Sequence, residues 1–232
     1  MKSKLEQLES RGYLEKINLD SYILSINEKL ELIKNKIPKN RTLGARLLKS
    51  EVANEEIIEK LIEALKIEKK LYCKIEISEL LTSYGELSVK YLLKVIAKIG
   101  SNQHKSLPLN EFKKNNYPLP RDIVARILAH IGKAALSEIL VIFKSFSLKE
   151  LSEIIDVIGF VCFYDYQKDI YEVLKECYEE YTQNDLIKWK IIRAFSAFPE
   201  SKGFLELEYA KLTNESLKLE VNRSLSLINK KL

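Results

Sequence analysis

The sequence predicts an all-α fold, an α-solenoid of stacked helical hairpins, and three observations predict it. One phrase is written four times, at Cys73–Gly85, Pro120–Gly132, Ile187–Pro199 and Leu217–Asn229. Each copy opens with an apolar or Pro residue and a Lys or Arg, then carries apolar residues at helical spacing, and three copies stop at Gly or Pro. The copies are also periodic: 67 residues separate Arg121 from Lys188, two units of roughly 33, and 30 separate Lys188 from Lys218. Finally, 7 Gly and 5 Pro in 232 residues leave little turn material, which favours long helices over many short strands. Self-similarity at this period marks an array in which each unit packs on its neighbours.

Taken in order, residues 1–38 read as an N-terminal helical cap. Leu5 and Leu8 start a short helix that Gly12 ends. Asp20 is then placed to cap a second helix, with Tyr22, Ile23, Ile26, Leu30 and Ile33 as its apolar stripe and Pro38 as its close. Residues 39–232 read as one continuous repeat array. Thr42–Lys49 is a short first helix, and Asn54 caps a second with Ile57, Ile58, Leu61, Ile62 and Leu65 inward. The following pairs are Lys69–Tyr84 with Leu87–Ile99, Arg121–Ile131 with Ala135–Phe146, Leu148–Phe163 with Lys168–Tyr181, and Asp185–Phe198 with Gly203–Leu212. Ser216–Asn229 stacks on the end. Gly85, Gly100 and Gly132 fall just past helix ends, where a left-handed residue is needed.

The repeated phrase resembles the HEAT repeat family, in particular the short units of the phycobilisome-lyase type. Arg121, Ala125, Leu128, Ile131 and Gly132 carry the resemblance best, then Lys74, Leu81, Tyr84 and Gly85, then Lys188, Ala194 and Phe198. It covers about residues 40–230, with about five to six hairpins, and departs from the pattern at Ser152, where the basic residue should stand. The resemblance implies a right-handed superhelix with the second helices lining a concave face, and relatives that mostly bind other macromolecules. The shared basic residues Lys74, Arg121, Lys188 and Lys218 are expected to bond the neighbouring unit while their stems pack on apolar surface.

Composition narrows the function. A hydrophobic content of 46% can supply a core, and 31% charged residues suit exposed helix faces. A net charge of +5 is too modest to predict a nucleic-acid partner. Cys73, Cys162 and Cys177 lack the close pairing of zinc or redox motifs and read as small buried hydrophobes in a reduced compartment. The N-terminal MKSKLEQLES is charged throughout, so no signal peptide is expected, and no apolar run approaches a membrane span. A cytoplasmic location follows.

Catalysis finds little support. His130 lies within a repeat helix, His104 has no acid or Cys at a recognisable spacing, and no phosphate loop, zincin pair or nucleophile elbow is present. No enzyme activity, cofactor or metal is expected.

Two charged stripes carry the binding expectation. Lys90, Lys94 and Lys98 stand at i, i+4 and i+8 of one expected helix, and Asp169, Glu172, Glu176 and Glu180 form an acidic stripe on another. A groove of both signs suits a protein or peptide partner better than a continuous phosphate backbone. The insertion at 100–119 breaks the rhythm and offers Phe112, Lys113, Lys114 and Tyr117 as loop contacts. The aromatic run from Phe160 to Tyr181 reads as core, with Tyr164, Tyr166 and Tyr171 as a candidate contact rim. The function expected is therefore a non-enzymatic protein-binding scaffold with a partner on its concave face. The alternative is a nucleic-acid-binding protein similar to the helical-repeat alkylpurine glycosylases, which use paired Trp residues where this chain has Trp189 alone. A third reading, a pigment lyase or chaperone-like helper, rests on the family resemblance only.

Overall fold

The computed structural model describes residues 4–108 and 114–231, and every described regular element is helical. The chain divides into two compact units, Met1–Val95 and Ile96–Leu232. The division falls within the stretch expected to form one continuous array.

In the first unit, α1 (Lys4–Glu9) precedes α2 (Ile26–Ile33), α3 (Pro38–Leu48), α4 (Glu55–Ile67), α5 (Leu71–Ser83) and α6 (Glu86–Leu93). Local chemistry sets most of the ends. Asn54 Oδ1 accepts from the Ile57 amide, as expected for the cap of α4, and Ile57, Ile58, Leu61, Ile62 and Leu65 are all buried. The start of α2 differs from the sequence reading. Ser25, not Asp20, caps it, and Glu28 reaches back to the Ser25 amide in a capping box. Asp20 instead sits in a 3-10 turn, Leu19–Ser21, capped by Asn18, and Tyr22 and Ile23 lie outside the helix, exposed. Pro38 opens α3 rather than closing α2, because its missing N–H costs nothing at a first helical position.

The α2–α3 crossing depends on Gly44. A Cβ there would stand 2.8 Å from Leu32 Cβ and 2.9 Å from the Lys29 carbonyl oxygen. Gly44→Ala is therefore expected to push α2 off α3 at a cost of about 1–3 kcal/mol, read as a lower urea midpoint with an unchanged slope; an unchanged midpoint would mean that α2 can shift freely. Arg46 of α3 pairs with Glu76 of α5 at 2.6 Å, and Arg41 makes a two-point contact with Glu68 at 2.6 and 3.0 Å.

The second unit holds α7 (Ile123–Ile131), α8 (Lys133–Val141), α9 (Leu148–Tyr164), α10 (Ile170–Glu180), α11 (Asp185–Phe195), α12 (Lys202–Lys211) and α13 (Glu215–Lys231). α7 packs on α9, α9 on α11, and α11 on α13. α8 lies against α7 and α9, α10 against α11, and α12 against α13. Gly85 and Gly132 adopt positive φ, as their places past the ends of α5 and α7 require; Gly100 also has positive φ, but it lies seven residues beyond the end of α6 rather than at a helix end. The core of this unit is built on Trp189, Phe195 and Phe198, none of them exposed. The three cysteines are buried, and burial pushes the Cys162 and Cys177 thiols up to about 12. Among the described residues, no helix is long and apolar enough to cross a membrane.

Candidate functional site

The expected lysine stripe does not survive in one piece. α6 ends at Leu93, Lys94 is its C-cap, and Ala97 turns the backbone with φ 59°, so Lys98 is not on that helix. Lys98 belongs to the second unit, where its Nζ lies 3.0 Å from Glu150 Oε1. Lys90 and Lys94 remain together, their ammonium groups 4.7 and 5.1 Å from the Tyr91 ring centroid. The Lys90 ammonium is held above its ordinary pKa, first by its contact with Tyr91 and further by Glu55 and Glu59. The neighbourhood of these lysines is thus mixed in sign rather than basic. They line or flank a groove of about 790 Å³ whose other wall is α4, with Glu55, Glu56, Glu59 and Glu63 exposed along it together with Lys60 and Lys66.

In the second unit Glu172, Glu176 and Glu180 share the exposed side of α10, opposite buried Ile170, Leu174 and Cys177, and Asp169 is the exposed residue before its first turn. Glu172 lies 3.8 Å from Lys175. Of the aromatic rim, Tyr164 and Tyr166 are exposed while Tyr171 is buried.

The 100–119 segment is a correction to the sequence reading. Phe112 and Lys113 lie outside the described residues, but Tyr117 is no surface contact: it is 2% exposed, in a nest of Phe160 and Phe163. His104, at 8% exposure, meets the edge of Trp189 at 5.2 Å. Lys114 keeps its side chain exposed, yet its carbonyl accepts from Arg223 Nε at 3.0 Å, and the Asn116 carbonyl accepts from Arg223 Nη2 at 2.7 Å. Both sides of the described part of this loop are therefore anchored in the core. Large apolar and aromatic side chains in a stretch with no helical spacing are the only hint of this in the sequence.

Those anchors surround the most unusual chemistry in the molecule. Glu153 and Asp156 of α9, Lys190 and Arg193 of α11, and Glu220 and Arg223 of α13 are all buried, three carboxylates against three cations. Lys190 Nζ stands 2.9 Å from both Glu153 Oε1 and Asp156 Oδ2 and donates to the Ser152 carbonyl at 2.9 Å. Arg193 Nη2 lies 2.5 Å from Asp156 Oδ1, with its guanidinium 4.1 Å from the Trp189 ring centroid. Arg223 Nη1 pairs with Glu220 Oε1 at 2.5 Å. Burial works against the Asp156 carboxylate, but Arg193 and Lys190 outweigh it and hold its pKa below the ordinary value. Burial wins at Glu153 and Glu220, whose carboxyls are pushed up despite Lys190 and Arg223. The Trp189 indole N–H favours ionised Glu220 without reaching hydrogen-bond geometry.

This cluster also revises the role of the repeated basic position. Lys188 sits over Tyr178, Lys218 pairs with Glu215 on its own helix, and Arg121 donates to Asn102 in the loop. The ion pairs from α11 to α9 come from Lys190 and Arg193, two and five residues after Lys188. Trp189 is fully buried beneath Arg193 and so cannot stack on a base. No family model, no curated protein and no solved structure matches the chain.

Proposed function

We propose that the chain is a non-enzymatic, HEAT-like interaction module that holds a peptide segment of a partner protein in the α4–α6 groove. The repeat reading is supported by the succession α7, α9, α11, α13, each packed on the next, with α8, α10 and α12 as the second layer of hairpins. The binding reading rests on one observation: an open groove with charges of both signs around an apolar floor. α4 presents Glu55, Glu56, Glu59 and Glu63 with Lys60 and Lys66 among them, α6 presents Tyr91 with Lys94 at its end, and Ile62 and Val95 give the groove its floor. Such a surface favours a short apolar segment flanked by basic residues that meet the α4 glutamates and an acidic residue that meets Lys94.

Display of a random peptide library against the immobilised chain tests this. Enriched sequences should flank a short apolar core with charges of both signs, Lys or Arg predominating. Lys90→Glu/Lys94→Glu should change the enriched set and weaken the parent peptides by about tenfold or more. Identical enrichment on the double variant would reject the groove.

A further inference from the structure

We infer that the first unit docks on an anionic lipid surface through the corner where the α2–α3 and α4–α5 connections meet. The corner is separate from the α4–α6 groove. Its contact residues are Lys36, Ile37, Ile67, Lys69, Lys70 and Leu71, and none of them lines that groove.

Two short windows supply the charge. Residues 34–41 hold four cations and no acid, and residues 66–74 hold four cations and one acid, in a chain whose net charge is only +5. Arg41 binds the two windows together. Its Nη1 donates to the Asn35 and Lys36 carbonyls at 2.8 and 3.2 Å, while Nε and Nη2 donate to Glu68. Glu68 in turn accepts the Lys69 and Lys70 amides, each at 2.8 Å. The one acid within these windows is thus consumed in holding the corner rigid. Acids outside them offset Lys34, Lys39 and Lys66, through Glu31, Glu9 and Glu63. Lys36, Lys69 and Lys70 are in no ion pair among the described residues.

Charge alone would suit any polyanion, and the aliphatic residues of the same corner narrow the choice. Ile37, Ile67 and Leu71 are 57%, 78% and 44% exposed. They stand at helix ends: the N-cap of α3, the last residue of α4 and the first of α5. Ile67 and Lys36 border one α2–α4 cleft, so apolar and basic residues of the two windows lie side by side. A phosphate backbone has nothing to cover such aliphatic tips. A bilayer interface takes both kinds of residue, the aliphatic tips entering the headgroup–acyl boundary while lysines meet the lipid phosphates. The two contributions add, which is what reversible surface docking needs.

Vesicle flotation of the full chain tests this. The protein should float at low salt with vesicles of equal parts phosphatidylserine and phosphatidylcholine, and should stay behind with phosphatidylcholine alone. Lys36→Glu/Lys69→Glu/Lys70→Glu should weaken partition about a hundredfold or more, roughly fivefold for each lysine lost. Ile67→Ser should weaken it about fivefold or more, with the urea midpoint of the wild type retained because the side chain is exposed. Ile67→Trp reports insertion directly. Trp189 is fully buried, so a blue shift of emission on the anionic vesicles would come from residue 67. Failure to float, or flotation that ignores Ile67→Ser and gives no blue shift, would overturn the inference. So would capture of polyglutamate without flotation, which would assign the corner to an acidic protein segment instead.

Discussion

Asp156→Asn is expected to lower the stability of the second unit by about 3–5 kcal/mol, the usual cost of leaving buried cations without their partner. The side chain keeps its shape, so the loss is electrostatic. Arg193 loses its carboxylate at 2.5 Å, and Lys190 loses one of two. Arg193 is 3% exposed and cannot recover the missing charge from water. Urea unfolding reads the effect as a lower midpoint. Pairing the change with Arg193→Met should cost much less than the sum of the single variants, because the orphaned cation is then gone. A single-variant loss below about 1 kcal/mol would mean that water or a rearranged Glu153 replaces the pair.

The pH dependence carries a sign of its own. Asp156 has a folded pKa below its ordinary 3.8, so its contribution is fully present above that value. It is lost as pH falls through the lower folded value. The stability gap between wild type and Asp156→Asn should therefore shrink as pH falls below about 4. Glu153 and Glu220 act in the opposite sense, since their folded pKa values lie above 4.5 and their ionisation weakens the fold as pH rises through those values. A gap that widens below about pH 4 would contradict the assignment of Asp156 as the ionised partner.

Gly159→Ala is the second large effect. A Cβ on residue 159 would lie 2.0 Å from the Tyr117 hydroxyl oxygen and 2.5 Å from its Cζ. The ring has little room to retreat, with Phe160 and Phe163 beside it and Arg193 5.8 Å from its centroid. The Tyr164 hydroxyl also donates to the Tyr117 carbonyl at 3.4 Å. Overpacking of this kind costs about 1–3 kcal/mol, and the absence of any escape places this case at the upper end. Tyr117→Phe should relieve part of the clash when combined with Gly159→Ala, because it deletes the nearer of the two atoms. On its own, Tyr117→Phe should be neutral or stabilising: the hydroxyl is buried without a hydrogen-bond partner, and burial pushes its pKa well up. Equal midpoints for wild type and Gly159→Ala would show that Tyr117 does not occupy this slot in solution.

These two sites show where local sequence stops being informative. Asn54, Ile57, Ile58, Leu61, Ile62 and Leu65 are readable because a cap and a helical stripe lie within one short window. Gly132 is readable for the same reason. Lys98 escapes such a reading because nothing between Glu86 and Ile99 announces a break: the turn comes at Ala97, a residue with no preference for φ 59°. Asp20 and Ser25 are both acceptable caps, and only Glu28, three residues after Ser25, separates them. Tyr117 sits 42 residues before Gly159 in the chain, and no periodicity connects them.

Helical content, most helix positions, the inward faces and the burial of the cysteines are properties of short windows, where spacing and side-chain chemistry act directly on a few neighbouring peptide groups. The division at Val95/Ile96, the anchoring of the loop by Arg223 and the pairing of α9 acids with α11 cations emerge only from helix-on-helix packing. The physical reason is that a Lys or Arg in a helix looks alike whether it faces water or a carboxylate some 37 residues away. Its meaning is set by desolvation, and desolvation is decided by what the rest of the chain brings against it.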